Sequence, residues 1–216
     1  MCVSVYKRLT LVQPIVSWQR ITGANGAPSP TGKGEVMEQK AKNVAWFKLA
    51  DLIARGEREK ALNVFRLLSH SLPDRAYALQ VEGDLLWHLD DDQSSTEKYK
   101  QAAFLYQKEK RWVDAIAIYE HLLTINPTSH AIVTSLMVLY AMLDWPERFQ
   151  QRFDQLVALF EQRHIDQPML INAIRDVVEQ VALVDGLAAK PWLVQQLRDR
   201  TASLPAPVAS ALQGLW

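Results

Sequence analysis

Between Gly83 and Gly186 the chain has no glycine, and only Pro127, Pro146 and Pro168 punctuate it. Strands need frequent turns, and turns recruit Gly and Pro for their backbone angles. So long a stretch without them, rich in Ala, Leu, Gln, Glu and Lys, is expected to be helix joined by short corners. Half of the 8 glycines (Gly23, Gly26, Gly32 and Gly34) instead crowd the start of the chain, before Glu35. An all-α chain is the expectation. Its 216 residues are enough to bury a core, as one compact domain or a short repeat array.

Periodicity and end signals place helices near 45–54, 58–70, 75–89, 94–109, 112–125 and 130–143. One more follows Asp144, then 167–184 and 191–202, before a short apolar tail ending in Trp216. Gly56 supplies a left-handed corner and Asp74 is a good N-cap. Ser94 with Glu97 reads as a capping box, and Asp144, with Glu147 three residues on, caps the helix after it. Helices of roughly 12 to 16 residues with corners of about 2 to 5 must pack as antiparallel pairs.

The segment from Tyr99 to Pro127 is the most specific. Tyr99, Ala102, Ala103 and Tyr106 share one face of a helix; Lys110-Arg111-Trp112 makes a corner; Ala115, Tyr119, Leu122 and Pro127 follow. This unit resembles a tetratricopeptide repeat, in which small residues such as Ala103 and Ala115 let two helices approach and aromatics fill the wedge between repeats. The stretch that follows resembles it again through Leu136, Tyr140, Phe153 and Leu156, with Met137 and Phe149 in place of small residues. An earlier copy shows Gly56, Ala61, Phe65, Leu68 and Pro73. The resemblance spans about residues 45–160. It implies an α-solenoid of antiparallel helix pairs, a superhelix closed by C-terminal capping helices. Pro73 and Pro127 are separated by one repeat of about 34 residues plus roughly one helix, so the 94–109 helix is expected to close one pair and open the next.

Three domains are read from these features: a leader over 1–36, repeats over 37–163 and capping helices over 164–216. The leader carries Lys7, Arg8, Arg20 and Lys33 against Glu35 alone. It reads as a disordered tail, as residues upstream of a start at Met37, or as an import presequence. Gln13 and Pro14 break its apolar run and no A-x-A cleavage site follows. The expected location is cytoplasmic, with organelle import as the alternative. Apolar residues at 171, 174, 178 and 181 suit a capping helix, or a dimer interface made from the same helices.

The side-chain chemistry excludes more than it suggests. Lys and Arg number 24 against 24 Asp and Glu, which argues against a general nucleic-acid binder. Cys2 is the one cysteine, so no intramolecular disulfide is available. No run reaches the roughly 18 to 20 apolar residues that span a bilayer. A phosphate loop near Gly32-Lys33 lacks its first glycine, replaced by Ala27, and its hydroxyl, replaced by Gly34. Asp90-Asp91-Asp92 lacks the Gly and Glu that a calcium loop requires, having Ser95 and Gln101, and reads as a solvated corner with Asp92 or Ser94 capping the next helix. Among His70, His88, His121, His130 and His164, His88 comes closest to a ligand set, four residues after Asp84 in an acidic neighbourhood, and zinc needs three or four protein ligands. No catalytic residue, metal or cofactor is expected. Of the seven tryptophans, Trp145 before Pro146 is the best exposed candidate for a binding contact.

The expected function is therefore a non-catalytic adaptor or chaperone-like scaffold for another protein. In tetratricopeptide proteins the first helix of each pair lines a concave groove that holds a peptide or partner helix. By resemblance, the groove here consists of Lys100, Phe104, Gln107 and Lys108, then Ala131, Thr134, Val138, Ala141 and Met142. Phe104 and Val138 stand where the family's carboxylate-clamping members carry asparagines, so an amphipathic helix or apolar peptide suits this groove better. Phe104 and Val138 buried against neighbouring helices is the competing reading of those two positions. The alternative function is a structural subunit whose helices assemble an obligate homo- or hetero-oligomer.

Overall fold

The structure, a computed structural model, describes residues 33–72 and 74–215, with side chains from Val44 onward. The leader before Lys33, with Cys2 and Trp18, lies outside the described residues, as do Pro73 and Trp216. Among the described residues ten α-helices follow one another: α1 (Lys33–Ala54), α2 (Arg58–Ser69), α3 (Arg75–His88), α4 (Asp92–Lys108), α5 (Trp112–Ile125), α6 (His130–Met142), α7 (Pro146–Glu161), α8 (Gln167–Val184), α9 (Pro191–Thr201) and α10 (Ala206–Leu212). A 3-10 turn, Leu187–Ala189, joins α8 to α9, and no strand occurs among the described residues. The fold is all-α, with sequential helix pairs in contact.

Two compact units meet at Ser95/Thr96, inside α4. The expected boundary at 36/37 falls within α1, which starts at Lys33, well before the stretch beginning at Ala45 that periodicity marks. In the first unit α2 packs on both α1 and α3. Trp46, Leu49 and Leu52 of α1 meet Ala61, Phe65 and Leu68 of α2 and Val81 and Leu85 of α3. Ser95 is buried, and its hydroxyl donates to the Gly83 carbonyl at 3.0 Å.

Five corners share one hydrogen-bond pattern, and it explains how the chain turns without glycine. At Gly56, Asp90, Lys110, Asp144 and Arg163 the backbone is left-handed, with φ of 70°, 58°, 58°, 53° and 62°. At each corner the next residue's amide reaches back to a carbonyl five residues earlier: Glu57 to Leu52, Asp91 to Leu86, Arg111 to Tyr106, Trp145 to Tyr140 and His164 to Leu159, at 2.8–2.9 Å. The left-handed residue's own amide closes the inner bond, such as Lys110 to Gln107 at 3.0 Å. This is the Schellman helix end, which normally recruits glycine. Only Gly56 of the five obeys that preference.

Two caps differ from expectation. Asp91, not Asp92 or Ser94, accepts the Ser94 amide at 3.1 Å, because the helix begins two residues before Ser94. Asp144 does not cap α7: it is the left-handed corner residue, Trp145 occupies the N-cap position without a side-chain bond, and the Asp144 carboxylate turns to the C-terminal helices. Asp74 caps α3 as expected, accepting the Tyr77 amide at 3.0 Å. Asp166 does the same for α8 through Met169, at 2.8 Å.

In the second unit α6 contacts α5, α7 and α8, α9 contacts α7, and α10 lies on α8 and α9. α8 therefore lies against α6 and α9 against α7, and α10, which reads in sequence as an apolar tail, packs on both α8 and α9. The spacing that relates Ala102 to Leu136 recurs between Leu136 and Leu170. Ala102, Leu136 and Leu170 are all fully buried, and so are Tyr106, Tyr140 and Ile174.

Candidate functional site

At about 100° per residue, Tyr99, Ala102, Ala103 and Tyr106 form one stripe of α4, and all four are buried. Tyr99 meets His121 of α5 edge-to-face at 4.9 Å, and the Arg111 guanidinium lies 4.3 Å from the centre of the Tyr106 ring. The opposite stripe is Glu97, Gln101, Phe104 and Lys108, with Lys100 beside it, and every one of these is exposed. Phe104 stands 63% exposed in the middle of that polar face. Glu97 accepts from Lys100 at 3.0 Å.

The nine expected groove residues divide by helix. On α4, Lys100, Phe104 and Lys108 are exposed and Gln107 is half-buried. On α6, Ala131 is exposed and Met142 half-buried, whereas Thr134, Val138 and Ala141 are buried. Those three therefore offer no surface to a partner. The reason is legible in the helix itself: α6 has no charged side chain from Ala131 to Met142, and nine of its thirteen residues are buried. A helix that is apolar all round has no face for water. Thr134 satisfies its hydroxyl locally, donating to the His130 carbonyl at 2.9 Å.

Two polar clusters tie the helix pairs together. Arg152 of α7 donates to both Glu120 oxygens at 2.7 and 2.6 Å, and the Tyr140 hydroxyl donates to the same carboxylate. Burial first, and then the Glu120 hydrogen bond, push the Tyr140 phenol up to about 12. The second cluster centres on Lys190, whose side chain is only 4% exposed. Its ammonium donates to Asp144 at 3.0 Å and to the Met142 carbonyl at 3.3 Å, and lies 3.3 Å from Asp185. Trp192 donates to the same Asp144 oxygen at 2.9 Å. The Trp192 bond and then the Lys190 bond hold the Asp144 carboxyl below its ordinary range. Both clusters are clasps between helices.

The remaining sequence candidates find structural partners. Trp145 is 40% exposed and stacks on Tyr140 with ring centres 5.9 Å apart. His88 bonds the Asp84 backbone carbonyl, at 2.7 Å, rather than its carboxylate. Among the described residues no three His, Cys, Asp or Glu side chains are placed to hold a metal ion. No described helix is long and apolar enough to cross a membrane. Between α7 and α8 an open depression of about 660 Å³ has Phe160, Ile165 and Met169 among its walls, with Arg163, His164 and Asp166 beside them. Sequence reasoning missed the exposed end of α8, where Leu183 is 84% and Val184 56% exposed. Their apolar run, Ala182-Leu183-Val184, was a signal in plain view.

No protein-family model matches this chain, and no curated protein matches it in sequence.

Proposed function

We propose that this chain is a non-catalytic, tetratricopeptide-like interaction module, an adaptor or chaperone-like scaffold that holds a segment of another protein against α4. The observation that carries this reading is Phe104, a large aromatic ring left in water on a helix whose other apolar residues are buried or half-buried. Burying such a ring stabilises a contact by roughly 1.5–3 kcal/mol. Rigid aromatic anchors of this kind dominate binding energies at interfaces. The proposed site keeps the expected groove residues that are exposed or half-buried: Lys100, Phe104, Gln107 and Lys108 of α4, with Ala131 and Met142 of α6. The test is affinity capture from the native cell extract with the intact chain and with Phe104→Ala. The variant is expected to keep its far-UV helix signal and melting temperature while losing the captured partner. Equal capture by both forms refutes the reading.

The exposed pair Leu183 and Val184 favours a second reading, a structural subunit that assembles through the end of α8. Sedimentation of the isolated chain separates the two. A monomer that captures a partner supports the adaptor; an oligomer dissolved by Leu183→Glu supports the subunit.

A further inference from the structure

Resting on the interaction reading, we infer that the segment docking on α4 is an amphipathic helix whose central apolar side chain is flanked one turn away, on both sides, by carboxylates. Lys100, Phe104 and Lys108 follow one another at intervals of four residues, so the two ammonium groups bracket the ring along the helix axis. At 1.5 Å of rise per residue the two lysine positions are ~12 Å apart, with the phenylalanine midway. A helix lying along this face matches that register with Glu-x3-Leu-x3-Glu, a pattern that reads the same in either direction. The charge around the ring favours acids. Nearest the ring the charged side chains of α4 are Lys100 and Lys108, one turn away on either side, with Gln101 and Gln107 between them. Glu97 pairs with Lys100 at 3.0 Å and Glu109 with Arg111 at 3.4 Å. The Glu97–Lys100 pair leaves both side chains more than half exposed, so an incoming carboxylate reaches Lys100 without first displacing it from a buried bond.

A single exposed ring between lysines also resembles a contact for an anionic lipid surface. One aromatic side chain inserts too little apolar area to hold a protein on a bilayer, whereas it is enough to anchor a peptide in register. The protein partner is therefore the occupant the observations favour.

The test uses the full chain and two designed peptides of about 17 residues, long enough to form helix. One carries Glu-x3-Leu-x3-Glu and the other Lys-x3-Leu-x3-Lys on the same Ala/Gln background. Fluorescence anisotropy is expected to give the acidic peptide about a tenfold advantage at low salt, two exposed ion pairs' worth, fading as salt rises. The double variant Lys100→Glu/Lys108→Glu, checked for intact helix signal, is expected to reverse the preference. Phe104→Ala weakens both peptides. Equal binding of the two peptides, or a preference that the charge reversal leaves in place, overturns the acidic-helix inference while leaving the Phe104 interaction reading to its own capture test. Failure of both peptides to bind also overturns it. Cosedimentation with phosphatidylserine vesicles that is lost in the double variant, with no peptide preference, overturns it in favour of a lipid surface.

Discussion

Four of the five left-handed corners are made by residues other than glycine, and substituting them one at a time separates backbone strain from side-chain work. Lys110 is the clean case. Its side chain is exposed, its φ is 58°, and its backbone bonds are those any residue makes there. An L-residue in the left-handed region costs about 1–2 kcal/mol, and glycine returns about 0.5–1 of that through its freer unfolded chain. Lys110→Gly is therefore expected to stabilise the chain by about 0.5–1 kcal/mol, a rise in melting temperature of about 2 °C at this size. Asp144→Gly relieves the same strain, at φ of 53°, but removes the acceptor for Lys190 and Trp192. Hydrogen bonds to a charged group contribute about 1.5–3 kcal/mol each when buried, and about 1 for a carboxylate as exposed as this one. Its side chain is 62% exposed. The expected balance is a net loss of about 1 kcal/mol, or roughly 3 °C. Thermal unfolding followed by circular dichroism at 222 nm and pH 7 reads both. A lower melting temperature for Lys110→Gly refutes the strain argument. Equal gains from both variants show that the Lys190 clasp contributes nothing.

Three further outcomes follow from the same contacts. Because the folded carboxyl of Asp144 is held below its unfolded value, its contribution is present above about pH 4 and is lost as pH falls through the folded value. The stability gap between the native chain and Asp144→Asn, measured by urea denaturation, should close in acid; a gap that widens contradicts the assignment. The Tyr140 phenol behaves in the opposite sense: raised to about 12, it adds stability that is lost between the unfolded value near pH 10 and pH 12. The gap between the native chain and Tyr140→Phe should narrow across that window, with tyrosine ionisation followed in parallel at 295 nm. Leu170 is fully buried on α8, so Leu170→Ala is expected to cost about 2–5 kcal/mol. A cost below about 1 kcal/mol shows that α8 is an optional flank rather than the next helix of the stack.

What can be read from the sequence depends on whether a signal is local or belongs to the packed array. The all-α class follows from missing glycine, and the helix positions from periodicity and caps, all of which are local. The corners at Asp90, Lys110 and Arg163 fall where periodicity places them even though no glycine marks them. Apolar helices separated by two or three polar residues leave little choice of where to turn. The helices α8 and α9 read in sequence as capping helices because α8 carries Ile174 at the spacing where α4 and α6 carry Tyr106 and Tyr140. The core needs only apolar volume at those positions, and repeat recognition by residue identity is blind to that.

The candidate site shows the same limit more sharply. Phe104 and Val138 occupy equivalent positions one repeat apart, and analogy between repeats treats them alike. They differ in their surroundings: Phe104 has Glu97, Gln101 and Lys108 along its stripe, whereas Val138 has Thr134 and Ala141. A lone aromatic in a charged stripe breaks the polar pattern of its helix, while an apolar residue in an uncharged helix breaks nothing. That contrast is present in the sequence before any coordinate, and it separates the exposed ring from the buried valine. Departure from the local binary pattern marks this site more clearly than its place in the repeat does. A shared position in an architecture says where a groove would run; the proposed docking on α4 rests instead on an aromatic side chain that departs from the polar pattern of its own stripe.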